Sequence, residues 1–325
     1  MMAIPVFEVL RAGLQATVQD SGRPGWQRFG VSPSGAMDWF SMHTANILVG
    51  NPPGEAVLET VFPGPVLELL SDCTVAICGG NLSPRLDGKP APLWKSFRAR
   101  KGQLLSFGKP VSGARAYIAV SGGIDVPAVL GSRSTYLAGG FGGLEGRSLR
   151  KGDVLSSAAP ISGTPGRGLA SRLVPAYSTE ITVRAIPGPH TAAFEKESLE
   201  TFFTKSYSVS PNSNRMGLSL NGPKLLHREG ADILSDAVPL GGIQVPSGGQ
   251  PIILMAERQP TGGYTRIGTV ITADLPLLAQ AMPGSTVRFR QAGVEEAQKA
   301  YMETRAILVG LAIAAGAWHP GMKLF

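Results

Sequence analysis

The chain has 325 residues, 43% of them hydrophobic and only 16% charged, which excludes a disordered chain and leaves room for two ordinary domains. Glycine (42) and proline (26) make up about a fifth of the residues, against roughly 12% in an average protein; with no Gly-X-Y period, this excludes collagen and fits a β-rich fold with many tight turns. The net charge is +7, yet the 30 Lys and Arg are scattered among 23 acids, so no nucleic-acid partner is expected and small anions suit the balance.

In chain order, Met1–Pro5 has neither a basic lead nor a continuous apolar run, so no export signal is expected. A strand then runs into the turn Thr17–Trp26. Two readings stand there: Asp20 bonds its own backbone beside a solvated Arg23, or the loop is a concavity with Arg23 facing an anion. Ser34 is expected to cap a helix with the inner stripe Met37, Phe40, Thr44, Ile47 and Leu48, stopped by Gly50-Asn51-Pro52-Pro53.

Short strands follow at Cys73–Cys78, Gln103–Phe107 and Tyr117–Val120. The odd spacing of Cys73 and Cys78 puts them on opposite faces of one strand. They read as two reduced core thiols of a cytoplasmic protein, too few for a disulfide framework or a zinc site. The glycine pairs at 122–123 and 139–143 read first as crowded barrel corners and second as places where a ligand nears the backbone.

The Ser-, Gly- and Pro-rich stretch 156–179 is a loop, and a domain boundary is expected near 165–178. Domains are thus expected at 1–168 and 178–292, with a helical tail at 293–325. Beyond the loop, strands are expected at Glu180–Ile186, Ile252–Met255, Gly268–Thr272 and Ser285–Arg290. Helices are expected at Thr191–Phe203, from Asp274 and Pro276, and at the C-terminus. The apolar stretch Ala306–Trp318 has 13 residues, short of the roughly 20 that span a bilayer, so no membrane partner is expected. The halves echo each other: Gly64-Pro65-Val66-Leu67 against Gly222-Pro223-Lys224-Leu225, and a glycine entering a strand at Gly102 and at Gly284.

Several familiar motifs are absent. There is no phosphate loop and no Gly-x-Ser-x-Gly elbow. In Gly139–Gly143 the last glycine of a dinucleotide fingerprint is replaced by Glu145. His43, His190, His227 and His319 lack metal-ligand spacing, and no metal is expected.

The sharpest cluster lies in the second half: Ser213–Gly217, Gln244–Pro251 and Glu257–Tyr264. Glutamines next to apolar strands and glycine turns offer paired donor and acceptor edges, suited to a lactam, cis amide or ureido group; the other reading is that buried glutamines tie loops together. Gln244, Gln250 and Gln259 are the candidates to line a pocket, with Gly262-Gly263 giving backbone N–H groups access to an oxyanion. Arg215, beside Asn214, is read as a carboxylate clamp and Tyr264 as an orienting group. His190, ahead of a helix, is read as neutral, relaying a proton or capping.

Thr17–Arg23, Ser34–Asp38, Ser121–Pro127, Gly142–Gly146, Pro187–His190, Ser213–Gly217 and Gln244–Tyr264 together resemble one family over roughly residues 4–292. It is the biotin-dependent carboxyltransferase-type family, also called allophanate hydrolase subunit 2-like. The resemblance implies a mainly β fold of two tandem cyclophilin-like β-barrels with a few short helices and a C-terminal helix. It implies ATP-dependent opening of 5-oxoproline to glutamate, shared with two further proteins: the B subunit of 5-oxoprolinase (allophanate hydrolase subunit 1-like) and its A subunit. ATP would be bound with or by a partner. Relatives transfer carboxylate from carboxybiotin to urea, so biotin enters under that alternative; another relative antagonises a histidine kinase inhibitor. Gln259, Tyr264 and His190 are the expected catalytic positions. Asp20, Arg23, Asn214, Arg215, Gln244, Gln250, Thr261, Gly262 and Gly263 are the expected substrate-binding positions. Pro260 and Pro52-Pro53 depart from the family's usual residues.

Overall fold

The computed structural model describes residues 3–157, 159, 161 and 163–317. Two compact units divide the chain: one holds residues up to Arg23, Ser34–Ala176 and the chain from Arg305, the other Pro24–Pro33 and Tyr177–Thr304. Both are mainly β.

The first unit contains β1 (Ile4–Arg11), β2 (Ala16–Gln19), helix α1 (Trp39–Val49), β3 (Val57–Val61), β4 (Val66–Leu69), β5 (Cys73–Asn81), β6 (Arg85–Leu86), β7 (Lys89–Pro90), β8 (Ser96–Ala99), β9 (Leu104–Ser106), β10 (Ser112–Val120) and β11 (Val154–Ser157). They form two sheets, β11-β1-β4-β9-β6-β7 and β2-β3-β10-β5-β8. Phe7, Val9, Leu67, Leu69 and Leu105 of the first sheet and Val18, Leu58, Val75, Ile77 and Ile118 of the second share one core. The period of two is visible in β5. Cys73, Val75 and Ile77 join that core, whereas Cys78 does not, although it is equally buried. Burial pushes the Cys73 thiol up to about 12 and also raises Cys78 well above its ordinary value, so both stay protonated and unreactive.

Helix α1 is capped by Asp38, not by the expected Ser34: Asp38 Oδ1 accepts from Ser41 N (2.9 Å) while Ser34 sits at φ +55°. Every residue from Phe40 to Val49 is buried, so the expected one-sided stripe is replaced by a helix buried all round. His43 is inside it, and desolvation pushes its pKa down to about 4 from 6.5. Between these values an unfolded chain takes up a proton that the folded one refuses. The folded state is therefore fully stabilised above pH 6.5 and loses about 3 kcal/mol as pH falls through 4. Urea titrations at neutral pH and near pH 4 should show that loss, and His43→Gln should flatten it; an equal loss in the variant would refute the assignment.

The second unit contains β12 (Glu180–Pro187), α2 (Lys196–Thr204), β13 (Ser206–Val209), β14 (Gly217–Asn221), β15 (Asp232–Ala237), β16 (Gly242–Gln244), β17 (Ile252–Leu254), β18 (Thr261–Tyr264), β19 (Arg266–Val270), α3 (Leu275–Ala279) and β20 (Thr286–Gln291). Seven of these strands close a barrel in the order β12-β19-β16-β17-β14-β13-β20, and β15-β18 form a separate ribbon. Phe202 of α2 stacks on Phe289 with ring centroids 4.4 Å apart, and Tyr207 meets both rings. Burying Phe202 contributes roughly 2–3 kcal/mol. The single helix expected over Thr191–Phe203 is broken into a 3-10 turn at Thr191–Ala193 and α2. Asp274 precedes α3 as expected, but its carboxylate grips Arg184 in a fork (2.6 and 2.9 Å) rather than capping.

A last helix, α4 (Val294–Ala314), joins the polar lead-in and apolar stretch into one element; Trp318 lies outside the described residues. No helix among the described residues is long and apolar enough to cross a membrane.

The echo between the halves is real at the glycine turns and occurs three times. Gly102, Gly152 and Gly284 have φ of +84°, +88° and +87°. Each donates its N–H to a carbonyl of another strand, at Leu69, Val9 and Val209. Each is followed by a polar side chain, Gln103, Asp153 or Ser285, that accepts from the N–H three residues back. The Gly64-Pro65 and Gly222-Pro223 pairs both follow a strand, but only the first leads into one.

Candidate functional site

Two of the three expected glutamines meet. Gln244 ends β16 and is 3% exposed. Gln259 follows the buried run 253–258, and its Nε2 donates to Gln244 Oε1 at 3.4 Å. Gln244 Nε2 is then buried with no hydrogen-bond partner. A buried amide N–H without an acceptor costs about 1–3 kcal/mol, so a folded chain rarely keeps one unless something else fills the position.

The backbone of Gly262 packs closely against that amide. A Cβ on Gly262 would lie 2.6 Å from Gln244 Nε2, 3.4 Å from Gln259 Nε2 and 3.2 Å from the Val238 side chain. Gly262 stands opposite Asp236 in the β15-β18 ladder. The alternation of the strand turns Gly263 to the other side, where its nearest neighbours are Ile233 O and Ser235 Oγ. Tyr264 and Thr261 are exposed on the same ribbon. Arg266, opposite Gln244 in the β16-β19 ladder, crosses to the ribbon and bonds Asp236 Oδ2 (2.5 Å) and Ala237 O (2.7 Å). The N–H of Arg266 donates to His190 Nδ1 at 3.2 Å. His190 therefore keeps Nδ1 as an acceptor and carries its proton on Nε2.

Other expected positions serve the fold. Arg215, read as a carboxylate clamp, holds a carboxylate of its own chain: its Nε is 2.6 Å from Glu257 Oε1, with both side chains 4% exposed. Gln250 makes the two-point amide pairing foreseen for a ligand, but with the backbone of Gly222 (2.8 and 3.0 Å). Asn214 closes a local turn by accepting from Met216 N.

In the first unit, Asp20 accepts from Gly22 N (2.8 Å), Ser132 Oγ (2.6 Å), Ser134 Oγ (2.5 Å) and Arg133 N (2.5 Å). It pins the loop rather than facing a ligand. Arg23 is 1% exposed, bonded to Ser134 O and lying 5.1 Å over the Phe141 ring. The anion-facing reading of Arg23 is thereby replaced by a packed one. Gly142 is part of the same packing, since a Cβ there would stand 2.1 Å from Ser134 O.

One residue at the site went unread in the sequence. Arg258 lies between Glu257 and Gln259 and is 9% exposed. Its Nε donates to Val238 O (2.9 Å) and Nη1 to Met255 O (3.4 Å). The carboxylate beside it, Glu257, is taken by Arg215. No carboxylate of the described residues pairs with Arg258, and desolvation pulls its pKa down to about 10. The signal in the sequence was an arginine whose adjacent acid looked like its partner. Among the described residues no cluster of His, Cys, Asp or Glu could hold a metal ion.

Known proteins share this architecture from end to end. The chain is 38% identical over 309 residues to the C subunit of 5-oxoprolinase from Escherichia coli, covering 94% of this chain and 98% of that protein. It is 36% identical over 294 residues to the C subunit of 5-oxoprolinase from Haemophilus influenzae, with 90% and 94% covered. Urea amidolyase of Saccharomyces cerevisiae is 35% identical over 302 residues, 87% of this chain but only 16% of that much longer protein. The crystal structure of Kluyveromyces lactis urea amidolyase superposes with a TM-score of 0.90 at 32% identity, over 96% of this chain and 20% of the other. Residues 29–291 match the family described as carboxyltransferase domain, subdomain A and B. With more than half its length matched and its barrel shared with these relatives, the chain belongs to the carboxyltransferase domain family of subdomains A and B.

Proposed function

We propose that this chain is the C subunit of an ATP-dependent 5-oxoprolinase, a hydrolase of a cyclic amide that works together with the A and B subunits. The observation that carries it is the end-to-end match to a stand-alone protein of that name, 98% of its length, against under a fifth of the urea amidolyases. The site agrees with the chemistry. A lactam carbonyl oxygen is the acceptor that Gln244 Nε2 lacks, and the lactam N–H faces an amide oxygen of the glutamine pair. Gly262, with no side chain, lies against both glutamine amides, where any side chain would press on them. Tyr264 on β18 and His190 in the turn before the 3-10 segment at Thr191–Ala193 are able to hold or pass a proton at the phenol and at Nε2.

ATP does not fit this donor set. A triphosphate would face the guanidinium of Arg258, which no carboxylate of the described residues pairs, together with the carboxylates of Asp236 and Glu257, and the sequence carries no phosphate loop. ATP is assigned to a partner protein or to a surface shared with one. Coexpression with the A and B subunits, followed by assay of ATP-dependent glutamate release from 5-oxoproline, tests the reading; a complete assembly that releases no glutamate defeats it.

The TM-score of 0.90 to urea amidolyase favours a second reading, a biotin-dependent carboxyl transfer component. The ureido carbonyl of carboxybiotin suits the same two amides. Carboxylation of urea by the chain with a biotin carrier, and no turnover of 5-oxoproline, would decide for it.

A further inference from the structure

Asparagine followed by glycine is the pair most open to deamidation in a polypeptide, because glycine has no side chain to keep its nitrogen away from the asparagine amide. The chain has one such pair, Asn221-Gly222. It stands where β14 ends, and Asn221 is exposed, with its side-chain amide bonded to none of the described residues. A Cβ at Gly222 would lie 2.5 Å from Tyr207 Cδ1 and 3.2 Å from Ser206 O, so the packing of the Tyr207 ring leaves no place for a larger residue. Gln250 grips that glycine by both ends: its Oε1 accepts from Gly222 N at 2.8 Å and its Nε2 donates to Gly222 O at 3.0 Å. The chain on either side of Gln250 is tied as well, since Gly249 O accepts from Leu225 N and Pro251 O from Leu220 N, both at 3.0 Å. The clamp is therefore held in place from both sides, at a surface open to water.

We propose that Asn221-Gly222 is the deamidation site of this chain and that Gln250 is the residue that keeps it closed. In the reaction the Gly222 nitrogen attacks Asn221 Cγ. The bond from Cγ to the side-chain nitrogen breaks, and ammonia leaves with the proton from the Gly222 nitrogen. Water then opens the cyclic imide at either carbonyl, leaving aspartate or isoaspartate. The attack requires the 221–222 peptide to turn out of the extended strand until its nitrogen meets Cγ. Gln250 opposes that turn, which would break the hydrogen bonds on both sides of Gly222. Ser208 opposes it too, its Oγ donating to Asn221 O at 3.3 Å. The place is a sensitive one, because Asn221 pairs with Ser208 and Leu220 with Val209 where β13 and β14 join in the closed barrel. An isoaspartate adds a carbon to the main chain there and shifts the register of that pairing. Gln250 thus has a role independent of any ligand.

The test incubates the full chain at mildly alkaline pH and then releases the tryptic peptide Met216–Lys224, in which Asn221 is the only asparagine or glutamine. Mass spectrometry reads its conversion to aspartate and isoaspartate. The neighbouring peptide Ser206–Arg215, which carries Asn212 and Asn214, is the internal control. The folded wild-type chain is expected to keep Asn221 far longer than the same chain unfolded in urea. Folded Gln250→Ala should convert Asn221 roughly 5- to 100-fold faster than wild type, the effect of removing two hydrogen bonds from the barrier to opening. The control peptide should not change. If Gln250→Ala does not fold, hydrogen exchange in the wild-type protein gives the answer: the Gly222 N–H, at the surface but held by Gln250, should be protected. Conversion at the wild-type rate in folded Gln250→Ala, an equal rise at Asn212 and Asn214, or an unprotected Gly222 N–H overturns the proposal. So does a folded wild-type chain that loses Asn221 as fast as the unfolded one.

Discussion

Glu257→Ala is expected to destabilise the second unit by about 3–5 kcal/mol, the cost of leaving a buried charge without its partner. Arg215 and Glu257 are each 4% exposed and meet at 2.6 Å. Removing the acid leaves a cation in a low-dielectric interior, where hydration cannot replace the lost partner. The backbone binds the two positions as well, since Glu257 N donates to Arg215 O at 2.8 Å and Gly217 pairs with Leu254 in the next rungs. The damage should therefore spread to the adjoining Arg258-Gln259 segment. Denaturant unfolding of both single variants and of Arg215→Met with Glu257→Leu measures the effect. The double variant should recover most of the loss, because apolar groups of similar volume remove both charges together. A single variant within about 1 kcal/mol of wild type would show that the pair is not structural. The same experiment separates the two arginines of the segment, because only Arg215 has its acid at hand.

The strands and most helix limits could be read from the sequence because they follow short-range rules. Gly50, Gly102 and Gly284 mark ends and turns by backbone conformation alone, whatever surrounds them. Asp274 with Pro276 marked α3 for the same reason. The errors arose where tertiary contacts override local preference. Ser34 has the right chemistry for a cap, but Asp38 takes the role, its N–H donating to Tyr117 Oη. The stripe in α1 gave no hint that the opposite face is buried too. At the site, residue types were informative and pairings were not. Gln244, Gln250 and Gln259 look alike in sequence, yet Gln250 spends both ends of its amide on Gly222. Arg215 and Arg258 look alike too, and only the distance of each to Glu257 tells a structural ion pair from an uncompensated cation. The choice of Glu257 by Arg215, 42 residues away, is a property of the closed barrel, not of any window of sequence.

Gly262→Ala is expected to remove about 100-fold of 5-oxoproline turnover in the assembled enzyme while leaving the fold intact, because misplacing a positioning group by about 1 Å can cost that much. The added Cβ would stand 2.6 Å from Gln244 Nε2 and 3.2 Å from Val238. Gln244 Nε2 is the end of a side chain that can rotate, so the clash is relieved by swinging the amide away rather than by moving the barrel. Gly262 does not have a positive φ, so alanine brings no backbone strain. The unfolding midpoint should then stay within a few degrees of wild type. The displaced amide loses its Gln259 contact and no longer presents Nε2 where it stands in the wild-type chain. Gly263→Ala is the internal control, because its Cβ would point to Ile233 O and Ser235 Oγ at ordinary distances of 3.4 and 3.7 Å. Its turnover should fall by less than about threefold, since it touches neither amide. Equal losses at both glycines would mean that the ribbon, rather than the packing against Gln244, carries the effect. Unchanged turnover in Gly262→Ala with an unchanged midpoint would remove the glutamine pair from the reaction altogether.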